Sequence, residues 1–90
     1  MKPVVYILQS LKNGRFYIGS TDNIKRRLQE HNSGKNKSTR YSLPFKLVFS
    51  QEFNDIKTAR SVEYQLKAKK SRKIVERIVE EGKIRFVEGN

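Results

Sequence analysis

Tyr17-Ile18-Gly19 stands eleven residues after Tyr6 and leads, through Ser20-Thr21, into Asp22-Asn23-Ile24-Lys25-Arg26-Arg27-Leu28. Upstream, Val4-Val5-Tyr6-Ile7-Leu8 is β-branched and aromatic with little alternation, which predicts a strand covered on both faces. Asn13-Gly14 is a strong hairpin signal, and Arg15-Phe16-Tyr17-Ile18-Gly19 is the returning strand. Register then decides where the two phenols go. A two-residue turn at Asn13-Gly14, or a four-residue loop from Leu11 to Gly14, puts Tyr6 and Tyr17 on one face of the hairpin. A three-residue loop separates them.

Downstream, Thr21 or Asp22 can cap a helix that runs to about His31 or Asn32, with Gly34 as a stop signal just beyond. Ile24, Arg27, Leu28 and His31 recur at i, i+3, i+4 and i+7, so Arg27 and the chain's single histidine share the face of the apolar anchors. Residues 34–40 read as a polar, cationic loop, and Phe45 to Phe53 as a third strand. Asn54 or Asp55 then caps a helix to about Lys70, with Ile56, Ala59, Val62, Glu63 and Leu66 as its core-facing stripe. Ser71 recaps a shorter helix whose Ile74, Val75, Ile78 and Val79 face inward, and Gly82 ends it. Lys83-Ile84-Arg85-Phe86-Val87 reads as a short final strand. The pattern predicts one α+β domain over residues 1–90: a small three-stranded antiparallel sheet flanked by helices, in the order ββαβαα.

Ninety residues leave room for one core, and a hydrophobic fraction of 36% is modest for a packed fold. With no cysteine, neither disulfides nor a thiolate zinc site can hold the chain together, which fits a reducing cytoplasm. The N-terminus lacks the apolar run of a signal peptide, and no stretch is long enough to span a membrane. Twenty Lys and Arg against nine Asp and Glu give a formal charge of +11. In so small a domain that is a strong positive field suited to a polyanion. Nucleic acid is favoured over a membrane surface, because no basic amphipathic helix with Trp or Phe anchors is present.

Glu63 is the sharpest clue among individual residues. A glutamate on an apolar stripe loses hydration, at a cost of roughly several kcal/mol unless a partner compensates it. A divalent metal or Arg27 could do so; alternatively, Glu63 sits at the stripe's edge or pairs with a structural arginine. Arg27, between Ile24 and Leu28, is placed to meet a phosphate or Glu63, whereas Arg26 points elsewhere as a solvated or DNA-backbone cation. Tyr6 and Tyr17 would ordinarily be packing residues, since a phenol titrating near about 10 is a poor base without a cation close by. Gly19 lets backbone or substrate come close where a side chain would obstruct it. Lys35, Lys37, Arg40 and Lys46, then Lys67, Lys69, Lys70, Arg72 and Lys73, are candidate phosphate-positioning groups.

These residues together resemble the GIY-YIG nuclease superfamily, in its small single-domain bacterial branch of UPF0213-like proteins. The resemblance runs from about Val4 to Lys70. It is carried by Val4-Val5-Tyr6, by Tyr17-Ile18-Gly19, by Arg27 and His31 on the first helix, and by Ala59-x-x-x-Glu63 on the second. Two departures stand out: Val4 occupies the place of the first motif's glycine, and no asparagine lies near Val75-Glu76. The resemblance implies a metal-dependent endonuclease cutting DNA phosphodiesters, with RNA not excluded as a ligand. Tyr6, Tyr17, Arg27, His31 and Glu63 would be catalytic, Glu63 also holding one Mg²⁺ or Mn²⁺. One tyrosine would take a proton from the attacking water while the other orients water or phosphate. His31 would move a proton or hydrogen-bond Tyr17, and Arg27 would stabilise charge on the scissile phosphate. Gly19, Arg26, Lys35, Lys37, Arg40, Lys67, Lys70 and Lys73 would contact nucleic acid. With no appended reading domain, cutting would be structure-selective or non-specific, in repair or recombination, by a cytoplasmic monomer or with a partner protein supplying specificity. The rival expectation is a catalytically weak nucleic-acid-binding module or adaptor with the same fold.

Overall fold

A strand that must bury both faces belongs in the middle of a sheet, and that is where the Val4 run lies. In the computed structural model, which describes residues 2–35, 37 and 40–84, β1 (Val4–Ser10) is flanked by β2 (Phe16–Thr21) and β3 (Phe45–Glu52). Both neighbours are antiparallel to it, giving the order β2-β1-β3. Tyr6 pairs with Gly19 and Leu8 with Tyr17. The hairpin therefore has the four-residue loop, closed by Gly14 N–H donating to Ser10 O and Ser10 N–H to Arg15 O, each at 2.9 Å. Gly14 sits at φ +76°, which explains the glycine. The buried Ser10 hydroxyl accepts from Lys12 and Asn13 N–H and donates to Ser42 O at 2.6 Å, tying the loop to a single 3-10 turn at Arg40–Ser42. On its other side β1 meets β3 with a register shift between Ile7 and Leu8. That bulge lets Val48 and Phe49, consecutive in sequence, both pack on one side of the sheet.

The two sides of the sheet carry separate cores. One packs Val4, Tyr6, Leu8 and Phe45 with Tyr17 and with Ile24 and Leu28 of α1 (Ile24–Asn32). The other packs Val5, Ile7 and Phe49 with Ala59, Val62 and Leu66 of α2 (Ile56–Ala68) and with Val75 and Ile78 of α3 (Arg72–Glu81). The element order is ββαβαα, as expected.

The helix ends follow side-chain chemistry. The α1 cap is Asn23 rather than Thr21 or Asp22: its side chain accepts from Arg26 N–H. Thr21 is occupied in accepting from Asn23 N–H, and Asp22 in pairing with the Arg26 guanidinium. Asp55 caps α2 by accepting from Thr58 N–H at 2.7 Å, which holds its carboxyl below the usual range. Ser71 caps α3, and Gly82 ends it in the left-handed region. Ile84 is buried, its N–H donating to Gln51 Oε1. Neither Lys83 nor Ile84 is in a strand, and the rest of the expected final strand, from 85 onward, lies outside the described residues. Among the described residues no helix is long and apolar enough to cross a membrane.

Candidate active site

Gly19 faces Tyr6 across the hairpin, and the Tyr6 ring lies over it. A Cβ at position 19 would stand 2.3 Å from Tyr6 Oη and 2.5 Å from Cζ, so no side chain fits there. The close approach foreseen at Gly19 is thus made by the Tyr6 ring, and the glycine is buried beneath it. So placed, the Tyr6 phenol oxygen reaches α1. Arg27 Nε donates to it at 3.3 Å, and His31 Nε2 lies 3.2 Å away. The i, i+4 spacing of Arg27 and His31 brings both to one phenol.

The electrostatics of this trio are asymmetric. The Arg27 guanidinium is held above its ordinary value, chiefly by its bond to Tyr6 and further by Glu30, 3.2 Å from its Nη1. His31 is pushed below its ordinary value, by burial first and then by the Arg27 charge, with Glu30 opposing. Its imidazole is therefore neutral near pH 7, and Nδ1 is buried without a hydrogen-bond partner. Tyr6 itself is only 3% exposed.

Tyr17 shares the Tyr6 face but ends elsewhere. Its hydroxyl bonds Ser42 Oγ at 2.9 Å, and its ring meets Phe45 edge-on at 4.9 Å. Phe45 also packs edge-on against His31, at 5.8 Å between ring centroids. The expected link between His31 and Tyr17 is replaced by one between His31 and Tyr6, because the 3-10 turn offers Tyr17 a nearer hydroxyl.

Glu63 approaches from the opposite face. Ser20 pairs with Val5 and so points to the α2 side, where its hydroxyl donates to Glu63 Oε1. Lys67, one turn further along α2, reaches Glu63 Oε2 at 2.5 Å. The compensation anticipated from Arg27 therefore comes from Ser20 and Lys67. Glu63 is half-buried at the margin of the stripe, where a neighbouring lysine can reach it. As a metal donor set this is one carboxylate with a hydroxyl beside it. Among the described residues there is no cluster of three His, Cys, Asp or Glu that could hold a metal. Such a set fits Mg²⁺ or Mn²⁺ keeping most of its waters, and does not fit an all-protein cage.

The two sides meet around the free edge of β2. A cleft of about 560 Å³ is lined by Ser20, Thr21 and Asp22, by Arg26, Arg27 and Glu30 of α1, and by Ile56 and Arg60 of α2. Ser20 connects this cleft to Glu63. Arg26 lies exposed at its rim, paired with Asp22 at 3.1 Å. Ser20 and Arg60 escaped the sequence reading, although Arg60 precedes Glu63 by three helical positions and Ser20 directly follows Gly19. The remaining candidate cations are dispersed. Lys35, Lys37 and Arg40 are exposed between α1 and β3, with Arg40 stacked on Tyr41 at 5.0 Å. Lys67 and Lys70 line a second groove, and Lys73 is exposed on α3.

Comparison with known proteins bears on the family and the fold. A family model described as the GIY-YIG catalytic domain matches residues 2–76. A UPF0213 protein of Streptococcus pneumoniae is 46% identical over 70 residues, covering 77% of this chain and 70% of its own length. One from Bacillus licheniformis is 46% identical over 77 residues, 84% of this chain and 77% of its own length. The solution NMR structure of a UPF0213 protein from Bacillus halodurans is similar with a TM-score of 0.57 and 37% identity, over 96% of this chain and 90% of that one.

Proposed function

The chain belongs to the GIY-YIG catalytic-domain family, in its UPF0213 branch, and from that membership we propose a metal-dependent endonuclease that hydrolyses DNA phosphodiesters. The observation that carries the proposal is the meeting of Arg27 Nε and His31 Nε2 at the Tyr6 phenol oxygen, with Arg27 also lining the cationic cleft. A scissile phosphate seated in that cleft meets Arg60 and, in competition with the carboxylates of Asp22 and Glu30 paired to them, Arg26 and Arg27, and Arg27 stabilises the charge that builds on it. Water adds to phosphorus as one P–O ester bond breaks. Tyr6 is the phenol assigned to the water's proton, since Arg27 Nε donates to its oxygen and a neutral imidazole stands beside it to take the proton on. Tyr17, bonded to the Ser42 hydroxyl, orients. Mg²⁺ or Mn²⁺ held by Glu63 would supply Lewis-acid stabilisation of phosphate charge. Structure-selective or non-specific cutting in DNA repair or recombination, by a cytoplasmic monomer, belongs to the same proposal.

Nicking of supercoiled and branched DNA with Mg²⁺ or Mn²⁺ tests it, comparing the unmodified protein with Arg27→Ala and Glu63→Ala. Equal activity in all three defeats the assignment. One observation favours a second reading, a nucleic-acid-binding module of feeble activity: both Glu63 oxygens are already engaged, by Ser20 and Lys67. That reading expects salt-sensitive binding unchanged by Glu63→Ala and no metal-dependent cutting.

A further inference from the structure

Beyond the cleft, on the α2 and α3 side of β2, lies a second groove of about 500 Å³. Phe16 and Ile18 form its floor, Arg15, Lys67, Lys70 and Arg72 stand around it, and no carboxylate is among its described lining residues. Glu63 and Glu76 touch this cationic rim only from outside, through Lys67 and Arg72.

Two details show a built surface rather than scattered charge. The Arg72 guanidinium lies 4.8 Å over the Phe16 ring, while its Nη2 donates to Gly14 O and its Nε to Glu76, each at 3.3 Å. These contacts fix its plane with one face on the ring, yet the side chain is 55% exposed. Lys70, at the turn between α2 and α3, holds φ +48°, a left-handed conformation that glycine adopts at lower cost. A strained lysine there places an ammonium at the groove where glycine would place nothing.

Phosphates alone would be served by the cations and need no apolar floor. A ligand with both phosphates and a flat apolar face uses the whole groove, and bases stacked inside a duplex do not present such a face. We propose that this groove holds an unpaired nucleotide of the DNA substrate, its base stacked on the Arg72–Phe16 pair and its phosphates on Lys70, Arg15 and Lys67. The inference rests on the nucleic-acid reading above and names its substrate class: DNA with a single-stranded segment beside the cut. Lys67 joins the two sites, since it both lines the groove and touches Glu63.

The test is binding by the full chain in EDTA, followed by amide NMR shifts, with a short oligothymidylate, a blunt duplex and AMP as probes. Oligothymidylate should shift amides in Arg15–Ile18 and around Lys70–Arg72. Arg72→Ala should weaken oligothymidylate about tenfold, the size of one lost base-stacking contact, with duplex binding changed far less. Lys70→Gly, which also relieves the backbone, should weaken it as well. Equal losses for single strand and duplex with Arg72→Ala overturn the proposal, as does AMP binding as tightly as the oligonucleotide, or shifts confined to the Arg27 and Arg60 cleft. Metal-dependent nicking is measured separately. Its absence with groove binding intact sinks only the nuclease reading, and its presence without groove binding sinks only this one.

Discussion

The two faces of the sheet are unequal. The α1 face has the smaller core and buries polar groups in it: Tyr6 and His31 are only 3% and 6% exposed, bonded to each other, with Arg27 bonded to Tyr6. The α2 and α3 face has the larger core, built from Val5, Ile7, Phe49, Ala59, Val62 and Leu66 among others, and keeps its one chemically interesting carboxylate at the margin. Burying a phenol and an imidazole carries a cost that their hydrogen bonds offset only in part, since His31 Nδ1 has no partner, and the α1 face trades packing freedom for fixed geometry. The α2 face supplies stability from apolar area alone. Chemistry that needs both faces must pass around the edge of β2, at Ser20 and the cleft beside it.

That division can be broken experimentally. Arg27→Ala should cut nuclease turnover on the order of 100-fold or more, about 3 kcal/mol of lost transition-state stabilisation, with little change in melting temperature; a large melting shift would show that Arg27 is structural. Leu66→Ala, on the other face, should destabilise the fold by about 3 kcal/mol by opening a cavity, read by urea unfolding. A cost well under about 1 kcal/mol would remove the α2 face from its role. Gly19→Ala should cost about 1–3 kcal/mol, because the new Cβ must displace a buried ring. It should also shift the Tyr6 ring and His31 resonances together, and an unmoved His31 would break the trio.

The smaller effects sharpen the same contrast. Burial and the Arg27 charge hold His31 below its ordinary value, so on acidification the unfolded chain takes up that proton first. Its contribution is complete above about pH 6.5 and is lost as pH falls from there towards the folded-state value. The urea midpoint should therefore drop over that window in the unmodified protein, and His31→Gln should lack this limb of the profile. Smallest is Lys67→Met. Loss of a pair whose lysine is 53% exposed should alter stability by no more than about 0.5 kcal/mol. Removal of that competing cation should tighten Mn²⁺ binding at Glu63 a few-fold, visible as stronger paramagnetic broadening near Ser20; unchanged broadening would show that Lys67 does not guard the carboxylate.

Much of this arrangement was legible in the sequence. Periodicity fixed every helix face, because Ile24, Leu28, Ala59, Val62, Leu66, Val75 and Ile78 recur at helical spacing, and Asp55, Ser71 and Gly82 punctuate as their chemistry requires. The Leu11–Gly14 loop was one of two turns placing both tyrosines on one face. What spacing could not give was the partner of each polar atom. Asn23, Thr21 and Asp22 can each cap a helix, and only the three-dimensional contacts show which of them is free to do so. Glu63 finds Lys67 instead of Arg27 because the two residues approach from opposite sides of a strand. That depends on the β1–β2 register combined with helix placement. Ser20 and Arg60 carry no signature of their own, and they matter only because the sheet edge brings α1 and α2 to one cleft.

The bare backbone at position 19 makes the two tyrosine-bearing segments a single component delivered in two pieces. A chain in which position 6 shrank would leave a void over Gly19, and a side chain restored at 19 could refill it. The pair would then settle as a well-packed hairpin with nothing at Arg27. Anyone transplanting this constellation to another β-hairpin must carry the vacancy along with the ring, or the graft will fold readily and hold its phenol in the wrong place.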